Sequence, residues 1–360
     1  MGLLREASSR ERKAVVVYIT LAVLFVAFYT ILFPQKLRPE LTVVPRQAQQ
    51  LVETKASPTP GGSFFLLGDW EVYWSAAGDL QRVTARRPQE AVSSSQIAWY
   101  DAPHNQVVVE GLSGPVFTLA GEQFPYWSHE RLYTIDANRL GLKAWTAAGK
   151  LLWSKQTSSL ITAMDSTPSL TVLGTLDGKV QILNAKGDSA GGFQPGGSRL
   201  PVVYNVAAAP SSQSVLVLAG VDPKRFLVLE KGGSDFRPVF HKPLRESRPW
   251  PTPLGFLNEG ALAYYENENG LAVLDPQNPG RETVIALSGH LAALDTLAGG
   301  RLAAFVQTDG SHASLRVASL TGTPVLALPF DAHEVLLRRQ GGTLLLGADQ
   351  TVLTLEVKIQ

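Results

Sequence analysis

The chain has 360 residues, 45% of them hydrophobic, and a formal net charge of +1 at neutral pH. This near-neutral balance argues against the broad basic surface of a nucleic-acid-binding protein, so no nucleic-acid partner is expected. Cysteine is absent, which excludes a disulfide framework, a thiolate metal site and a cysteine nucleophile.

The N-terminus has the pattern of a membrane anchor. Residues 1–13 form a short, polar and net basic tail, and residues 14–33 form a run of twenty residues without a charge. A helix needs about 20 apolar residues to cross the hydrocarbon core of a bilayer. Bulky residues at positions 31–33 replace the small-x-small site of a cleaved signal peptide, which favours an uncleaved transmembrane helix.

Basic residues on either side of this run indicate its orientation. Those before the run outnumber those after it, which favours an N-terminus in the cytoplasm. The residues before it are Arg5, Arg10, Arg12 and Lys13, and those after it are Lys36, Arg38 and Arg46. The sequence therefore predicts a single-pass protein of a bacterial inner membrane, with its bulk in the periplasm or another extracytoplasmic space.

Residues 34–62 form a proline-rich linker in this interpretation. Five prolines and the pair Gly61-Gly62 break regular structure and stiffen the chain. One short apolar run inside it, Leu41–Val44, is a candidate strand. Because the last hairpin of the chain ends near the C-terminus, such a strand could complete that unit and close a ring.

Residues 63–360 repeat one local pattern, a hairpin of two extended runs followed by a second turn. In the best copy, residues 170–193, Asp177-Gly178 predicts a tight two-residue hairpin turn, and the run after it alternates with the strand period of two. The eight related hairpins cover residues 64–74, 106–119, 131–145, 170–183, 215–230, 262–275, 302–318 and 344–356.

The spacing of these hairpins predicts an all-β propeller of four-stranded blades. The second-turn glycines recur at roughly 40–50 residues, a period typical of propellers and other β arrays. Eight hairpins predict eight blades. Gly121 and Gly149 are too close for a full unit, so either residues 122–128 merge an outer and an inner strand or one blade is incomplete, with seven blades as the alternative.

Residues 140–153 resemble the repeat of the pyrroloquinoline-quinone-like β-propellers, which carries a small–Leu–Asp–x–x–Thr–Gly–x–x–x–Trp pattern. Residues 174–187 form a second good copy, and the resemblance extends over residues 63–360. That family includes the outer-membrane assembly factor BamB, so the resemblance implies a noncatalytic eight-bladed scaffold. BamB is a lipoprotein, and this chain lacks the cysteine that a lipid anchor requires.

No pattern in the sequence indicates catalysis. In the family that the repeat resembles, a quinoprotein dehydrogenase has an adjacent cysteine pair, which is impossible here. Trp145 and Trp153 occupy repeat positions at which that family's tryptophans pack between blades, so the resemblance implies a structural role for them. The six histidines are scattered singly, without zinc spacing. We therefore expect neither an enzyme nor a bound cofactor or metal.

Two loops are candidate contact surfaces. The first, His241–Pro253, combines four prolines with arginine and tryptophan, the residue types that dominate interface energetics. Its candidate partner-contact residues are Lys242, Arg245, Arg248 and Trp250. The second is Phe124–Trp127. Instead of contacting a partner, the first loop could be a solvated connection between blades. The second could be a strand in the core between blades.

These observations together predict a membrane-anchored, extracytoplasmic propeller that acts as a protein–protein interaction scaffold. Its partners would be other envelope or membrane proteins, and its contact with lipid would be made through residues 14–33. A role in cell-envelope assembly follows only from the family resemblance. A propeller that binds a small ligand or serves as a sensor is the alternative, and a quinoprotein-type oxidoreductase is the least favoured function.

Overall fold

The computed structural model describes residues 18–26, 28–29, 41–55, 58–233, 235–245, 251–297, 299–340 and 343–359. The chain divides into two units, of which residues 43–358 form one and residues 1–42 with 359–360 form the other. In the smaller unit, residues 18–26 and 28–29 are helical. The larger unit consists of β-strands joined by turns, with two 3₁₀ turns at Ala102–His104 and Asn258–Gly260.

The strands of the first half are β1 Leu41–Gln50, β2 Thr54–Lys55, β3 Ser63–Leu67, β4 Trp70–Trp74, β5 Leu80–Ala85, β6 Ala91–Val92, β7 Gln96–Asp101, β8 Gln106–Gly111, β9 Gly114–Ala120, β10 Gln123–Ser128, β11 Arg131–Asp136, β12 Gly141–Trp145, β13 Leu151–Gln156, β14 Ile161–Ser166, β15 Leu170–Thr175, β16 Val180–Asn184 and β17 Ser189–Phe193. Those of the second half are β18 Leu200–Ala208, β19 Ser214–Val221, β20 Lys224–Gly232, β21 Asp235–Leu244, β22 Leu254–Leu257, β23 Leu262–Asn267, β24 Gly270–Leu274, β25 Glu282–Ile285, β26 His290–Leu297, β27 Leu302–Asp309, β28 His312–Ser319, β29 Pro324–Asp331, β30 Val335–Gln340, β31 Thr343–Ala348 and β32 Thr351–Ile359.

These strands form eight sheets of four strands each, which are the blades of a propeller. Blade I has the order β3-β4-β5-β2, blades II to VII each take four consecutive strands from β6 to β29, and blade VIII has the order β30-β31-β32-β1. Within a blade, consecutive strands pair antiparallel. The first strand of each order packs against the corresponding strand of a neighbouring blade, as β14 does with β18, and we call it the inner strand.

The ring is completed by the segment before the first hairpin. β1 is the outer strand of blade VIII, so it joins the N-terminal and C-terminal ends of the larger unit in one sheet. Residues 41–44, the candidate ring-closing strand, lie within β1, which continues to Gln50. The next strand, β2, is the outer strand of blade I. The predicted linker therefore contributes an outer strand to each of these two blades.

The short spacing between Gly121 and Gly149, which suggested seven blades, does not come from a missing strand. Gly121 follows an outer strand, β9, whereas Gly149 precedes one, β13. The two glycines therefore occupy different places in their blades, and their short separation removes no strand. Residues 122–128 do not merge two strands, because β10 is the inner strand of blade III and β9 completes blade II. The count is eight blades, and the alternative of seven is wrong.

The turn at Asp177-Gly178 is longer than predicted. Thr175 pairs its backbone N–H with the carbonyl oxygen of Lys179 at 3.0 Å, so the connection is wider than a two-residue turn. Of the two predicted turn residues, only Gly178 has a positive φ, at 87°. Asp177 instead accepts a hydrogen bond from the Thr175 hydroxyl at 2.6 Å. The predicted tight turn is therefore wrong in type, although the glycine has the expected conformation.

The buried apolar side chains pack between blades. The ring of Phe226 on blade V stacks on that of Tyr265 on blade VI, with ring centroids 3.9 Å apart. Leu67 of blade I shares a core cluster with Leu345 and Val352 of blade VIII, across the closure of the ring. The core thus lies between adjacent blades. A single blade cannot bury its own apolar faces, because each face is covered by the neighbouring blade.

Polar side chains of the inner strands also connect neighbouring blades. Asp165 on β14 accepts the backbone N–H of Ala208 on β18 at 2.8 Å. Asp295 on β26 accepts the N–H of Arg339 on β30 at 3.1 Å. Asn205 on β18 donates to the Thr252 carbonyl oxygen at 3.1 Å. These bonds fix inner strands relative to their neighbours, and those of Asp165 and Asn205 lie beside the candidate site.

Candidate functional site

A cavity of about 540 Å³ lies against the inner strands of blades III, IV and V, and we call it the axial pocket. This volume is within the range of small-molecule sites. The lining residues are Gln89, Phe124, Tyr126, Ile135, Arg139, Ile161, Thr162, Ala163, Met164, Tyr204, Asn205 and Pro251. Aromatic and aliphatic side chains therefore form most of its wall.

Two β-bulges shape the wall of the axial pocket. The pairing of β14 with β15 shifts between Ile161 and Ala163, so Thr162 lies at an irregularity. The pairing of β18 with β19 shifts between Leu200 and Val203 and again between Val203 and Asn205, so Tyr204 lies at the second irregularity. Bulges re-aim side chains and are frequent beside binding sites. Here both irregular residues line the axial pocket, and the Thr162 hydroxyl donates to the Val203 carbonyl oxygen at 2.6 Å.

The strand β10 presents its residues alternately to the pocket and to the core. Phe124 and Tyr126 line the axial pocket, and Tyr126 is 38% exposed. Its hydroxyl donates to the Met164 carbonyl oxygen of blade IV at 3.3 Å. Trp127 instead packs against the core cluster between blades II and III. The segment Phe124–Trp127 is thus an inner strand, as its alternative interpretation proposed, with one face directed to the pocket.

Acidic groups lie behind this wall. Asp165 follows Met164 on β14 and accepts a hydrogen bond from the Ser128 hydroxyl at 3.2 Å. Burial raises the pKa of Asp165, although its hydrogen bonds with backbone N–H groups oppose the rise. Burial also raises the pKa of Tyr126, and the negative charge of Asp165 adds to that rise. For Tyr264, burial and the carboxylates of Asp165 and Asp295 raise the pKa to about 12. These phenols therefore stay neutral at physiological pH.

Arg139 provides the positive charge of the axial pocket. It lies in the turn between β11 and β12, and it is the one charged side chain among the described residues that line the cavity. Its backbone carbonyl oxygen accepts the N–H of Ile161 at 2.9 Å, which joins this turn to the start of β14. The side chain is exposed. An arginine in this position suits a carboxylate or another planar anion.

The structure separates the residues of the sequence-predicted contact loop. Lys242 lies on β21, where its ammonium pairs with Glu282 of blade VI and lies 5.9 Å from the ring centroid of Tyr265. It therefore connects two blades. Arg245 is exposed just after β21. Arg248 and Trp250 lie outside the described residues.

The end of the same loop reaches the axial pocket. Pro251 lines the cavity together with Phe124 and Tyr126, so segments from both candidate loops meet there. Thr252, the next residue, is held by Asn205 of the pocket wall. Two regions that are far apart in sequence thus contribute to one concave surface.

Sequence reasoning missed Arg139, Thr162 and Tyr204 as site residues. Tyr204 belongs to an apolar run that was recognisable only as a strand, and the bulge that turns it to the pocket has no marker in the sequence. Arg139 has a φ of 58°, which indicates a tight turn but not its neighbours. A helpful signal would have been the alignment of inner strands, which places Phe124–Tyr126, Ile161–Met164 and Tyr204 side by side.

In the described part of the chain, no group of three or more His, Asp and Glu side chains is arranged to hold a metal ion. Within the same residues, no helix is both long and apolar enough to cross a membrane. The tail 1–13 lies outside the described residues, and the predicted span 14–33 is described only at 18–26 and 28–29.

Comparisons with known proteins agree with the architecture. An uncharacterized protein of Treponema pallidum (strain Nichols) is 26% identical over 238 residues, which are 64% of this chain and 61% of that protein. The chain thus spans about 61% of that relative's length. Among solved structures, BamB from Moraxella catarrhalis is similar with a TM-score of 0.60 at 10% identity, covering 88% of this chain and 100% of that chain.

The computationally designed Ika8 protein is similar with a TM-score of 0.56 at 16% identity, covering 86% of this chain and 100% of that chain. At these identities the likeness to solved structures concerns the fold alone. A family model described as beta-propeller protein matches residues 10–359. Because that match spans nearly the whole chain, and the structure has eight four-stranded blades, the chain belongs to this beta-propeller protein family.

Proposed function

We propose that this propeller is a noncatalytic scaffold that binds a partner protein at the axial pocket. The observation that carries the proposal is the meeting of both candidate contact loops there, through Phe124, Tyr126 and Pro251. Aromatic side chains that are partly exposed in a concave site are typical anchors of protein interfaces. The rigid inner strands around them favour binding without a large ordering cost.

The partner belongs to the cell envelope in this proposal. The uncharged run of residues 14–33 anchors the chain in the inner membrane, with the N-terminus in the cytoplasm and the propeller on the other side. Membrane fractionation and protease protection of the full-length chain test this placement. Extraction of the chain by alkaline carbonate, or protection of the propeller inside intact spheroplasts, would contradict it.

A small-ligand or sensory function is the second candidate, because the volume of about 540 Å³ also suits a small organic molecule. The two functions differ in what the pocket retains. A scaffold holds a protein after gentle solubilisation, whereas a ligand-binding domain holds a small molecule and gives no specific protein partner.

The test is an affinity purification of the C-terminally tagged full-length chain from gently solubilised membranes. We expect one stoichiometric envelope protein to co-purify, and Tyr126→Ala to reduce its recovery at least about tenfold, since an interface anchor contributes about 2 kcal/mol or more. The matched control is Val239→Ala, which changes a residue that is 47% exposed on outer strand β21. Equal loss in both variants, or recovery of no specific protein, would count against the scaffold.

A further inference from the structure

The polar side chains of the axial pocket are largely engaged within the protein. The Thr162 hydroxyl donates to Val203, and the side chain of Asn205 bonds both Thr252 and its own strand. The described residues offer no ion pair to the guanidinium of Arg139. Among the described lining residues, an occupant of the pocket would therefore meet mostly apolar walls and the one charged side chain of Arg139.

The apolar surface continues beyond the pocket. Leu160 precedes the lining residue Ile161 and is 40% exposed. Its carbonyl oxygen accepts the N–H of Leu176 at 2.9 Å, which brings the turn between β15 and β16 to the same edge. Leu176 is itself 48% exposed, and so is Leu200 at the start of β18. The same turn lies against Pro201, so the segments that carry the three leucines are adjacent, two in blade IV and one in blade V.

We propose that the axial pocket and these three leucines form one binding surface for an extended peptide segment that carries an acidic group beside an aromatic or long aliphatic side chain. The aromatic side chain enters the pocket between Tyr126 and Tyr204, and the carboxylate pairs with Arg139. This inference rests on the proposed scaffold function and names the segment of the partner that the scaffold recognises.

The extent of the surface favours a peptide over a small molecule. A ligand of about 540 Å³ fills the pocket alone and leaves Leu160, Leu176 and Leu200 in water. An extended chain that leaves the pocket covers them, at about 3.3 Å per residue. Burial of apolar surface stabilises the complex, and the charge at Arg139 fixes the direction of the segment.

The experiment selects binders from a displayed library of random twelve-residue peptides, using the full-length protein in detergent. We expect the enriched peptides to place Asp, Glu or a free C-terminal carboxylate near Phe, Tyr, Trp or Leu. Their affinities are then measured by fluorescence polarisation. Replacing the carboxylate of a selected peptide by its amide should weaken binding at least about tenfold, since a charge-assisted pair is lost.

Variants locate the binding. Arg139→Gln should weaken the binding of the acidic peptide by the same factor and leave the affinity for the amide peptide unchanged. Leu176→Ser should weaken long peptides more than those trimmed to the pocket-filling residues. The control is Arg237→Gln, an exposed arginine on outer strand β21. Because Gln, like Arg, is unbranched at Cβ and Gln89 adopts a φ of 55° in the same chain, Arg139→Gln should also keep the melting temperature of the wild type.

Three outcomes would overturn the inference. The first is selected peptides without an acidic preference, and the second is Arg139→Gln binding that equals the wild type. The third is N-acetylphenylalanine binding as tightly as the selected peptides, which would assign the pocket to a small ligand. If a partner protein co-purifies as before with Arg139→Gln and Leu176→Ser, the scaffold function stands and only this recognition mode fails.

Discussion

At the scale of single residues, two buried glutamates, Glu71 and Glu90, lie close together at the interface between blades I and II. Glu90 is 5% exposed and Glu71 is fully buried. Arg82 and Arg87 contact Glu71 at 3.0 and 3.1 Å, and Arg82 also contacts Glu110 of blade II at 3.0 Å. Three carboxyl groups thus face two guanidinium groups, and one proton balances the charge. Burial beside Glu71 favours the neutral form of Glu90, although the N–H of Arg87, which Glu90 accepts at 2.6 Å, opposes it.

This arrangement makes stability depend on pH. Burial, together with Glu71, raises the pKa of Glu90 from 4.5 to about 7. The folded state therefore binds a proton that the unfolded chain releases, so the contribution of this group is complete below pH 4.5 and is lost as the pH rises to about 7. At roughly 1.4 kcal/mol per pKa unit, the contribution is about 3 kcal/mol.

We expect Glu90→Gln to remove this dependence. The amide keeps the acceptor for Arg87 and a donor toward Glu71, and it never ionises. The variant should therefore match the wild type near pH 5 and exceed its free energy of unfolding by about 2–3 kcal/mol at pH 8. Denaturant titrations at both pH values measure the difference. The control is Glu122→Gln at an exposed position, and equal pH profiles for Glu90→Gln and the wild type would contradict the assignment.

Single residues also show which parts of the site could be predicted from the sequence. The Phe124–Trp127 segment was recognisable from composition, and half of it lines the axial pocket. The charge of Lys242 is visible in the sequence, whereas its pairing with Glu282 of the next blade is visible only in the structure. The sequence shows charge and aromaticity, whereas the blade that lies beside a residue is decided by long-range packing.

At the scale of elements, close packing of neighbouring blades depends on positions where a side chain is absent. Gly174 on β15 faces β18, and a Cβ built there would lie 2.8 Å from the Cβ of Val203. Backbone atoms hold both residues in their strands, so the contact cannot relax by rotation of a side chain. Overpacking of this kind costs about 1–3 kcal/mol.

We expect Gly174→Ala to lower the free energy of unfolding by about 1–3 kcal/mol, because it separates β15 from β18. The double variant Gly174→Ala with Val203→Ala should recover part of the loss, since it removes the opposing methyl groups. Thermal unfolding followed by circular dichroism measures both. Gly196→Ala is the matched control, because nothing lies within 4 Å of a Cβ at that position. A similar melting temperature for Gly174→Ala and Gly196→Ala would show that the interface adapts.

The elements were predictable to different degrees, for physical reasons. Alternation of apolar residues and turn glycines predicted the hairpins, because the strand period and the turn conformation are local properties. The inner strand β6 has only two residues, too few to show a period. The bulges in β14 and β18 depend on pairing between strands, and no local composition specifies them.

At the scale of the whole molecule, the propeller is closed by hydrogen bonds and by apolar packing. β1 is paired with β32, and Arg46 on β1 contacts Glu356 on β32 at 2.9 Å. Blade I shares a core cluster with blade VIII, to which Leu67 and Leu345 both belong. The pair Arg46–Glu356 is exposed enough to contribute little by itself. Most of the closure energy of β1 therefore comes from its backbone hydrogen bonds and from covering the edge of β32.

A comparison of two N-terminal deletions tests this closure. Deletion of residues 1–40 removes the predicted anchor and keeps β1, whereas deletion of residues 1–50 removes β1 as well. Each lost backbone hydrogen bond costs about 1 kcal/mol, and the uncovered edge of β32 is free to pair with another chain. We expect the longer deletion to lower the melting temperature by at least about 5 °C relative to the shorter one, at roughly 2 °C per kcal/mol, and to form aggregates in light scattering.

The shorter deletion is the control for any effect of the tail, because it should unfold as a single cooperative transition with eight complete blades. Equal melting temperatures for the two deletions would mean that seven blades and an incomplete eighth hold the ring without β1. In that case the core cluster to which Leu67 and Leu345 belong would be the closure that matters, and Leu345→Ala should then destabilise the longer deletion by about 2–4 kcal/mol. Because β1 joins the two ends of the larger unit, we expect the first result, with loss of β1 unfolding blades VIII and I before the others.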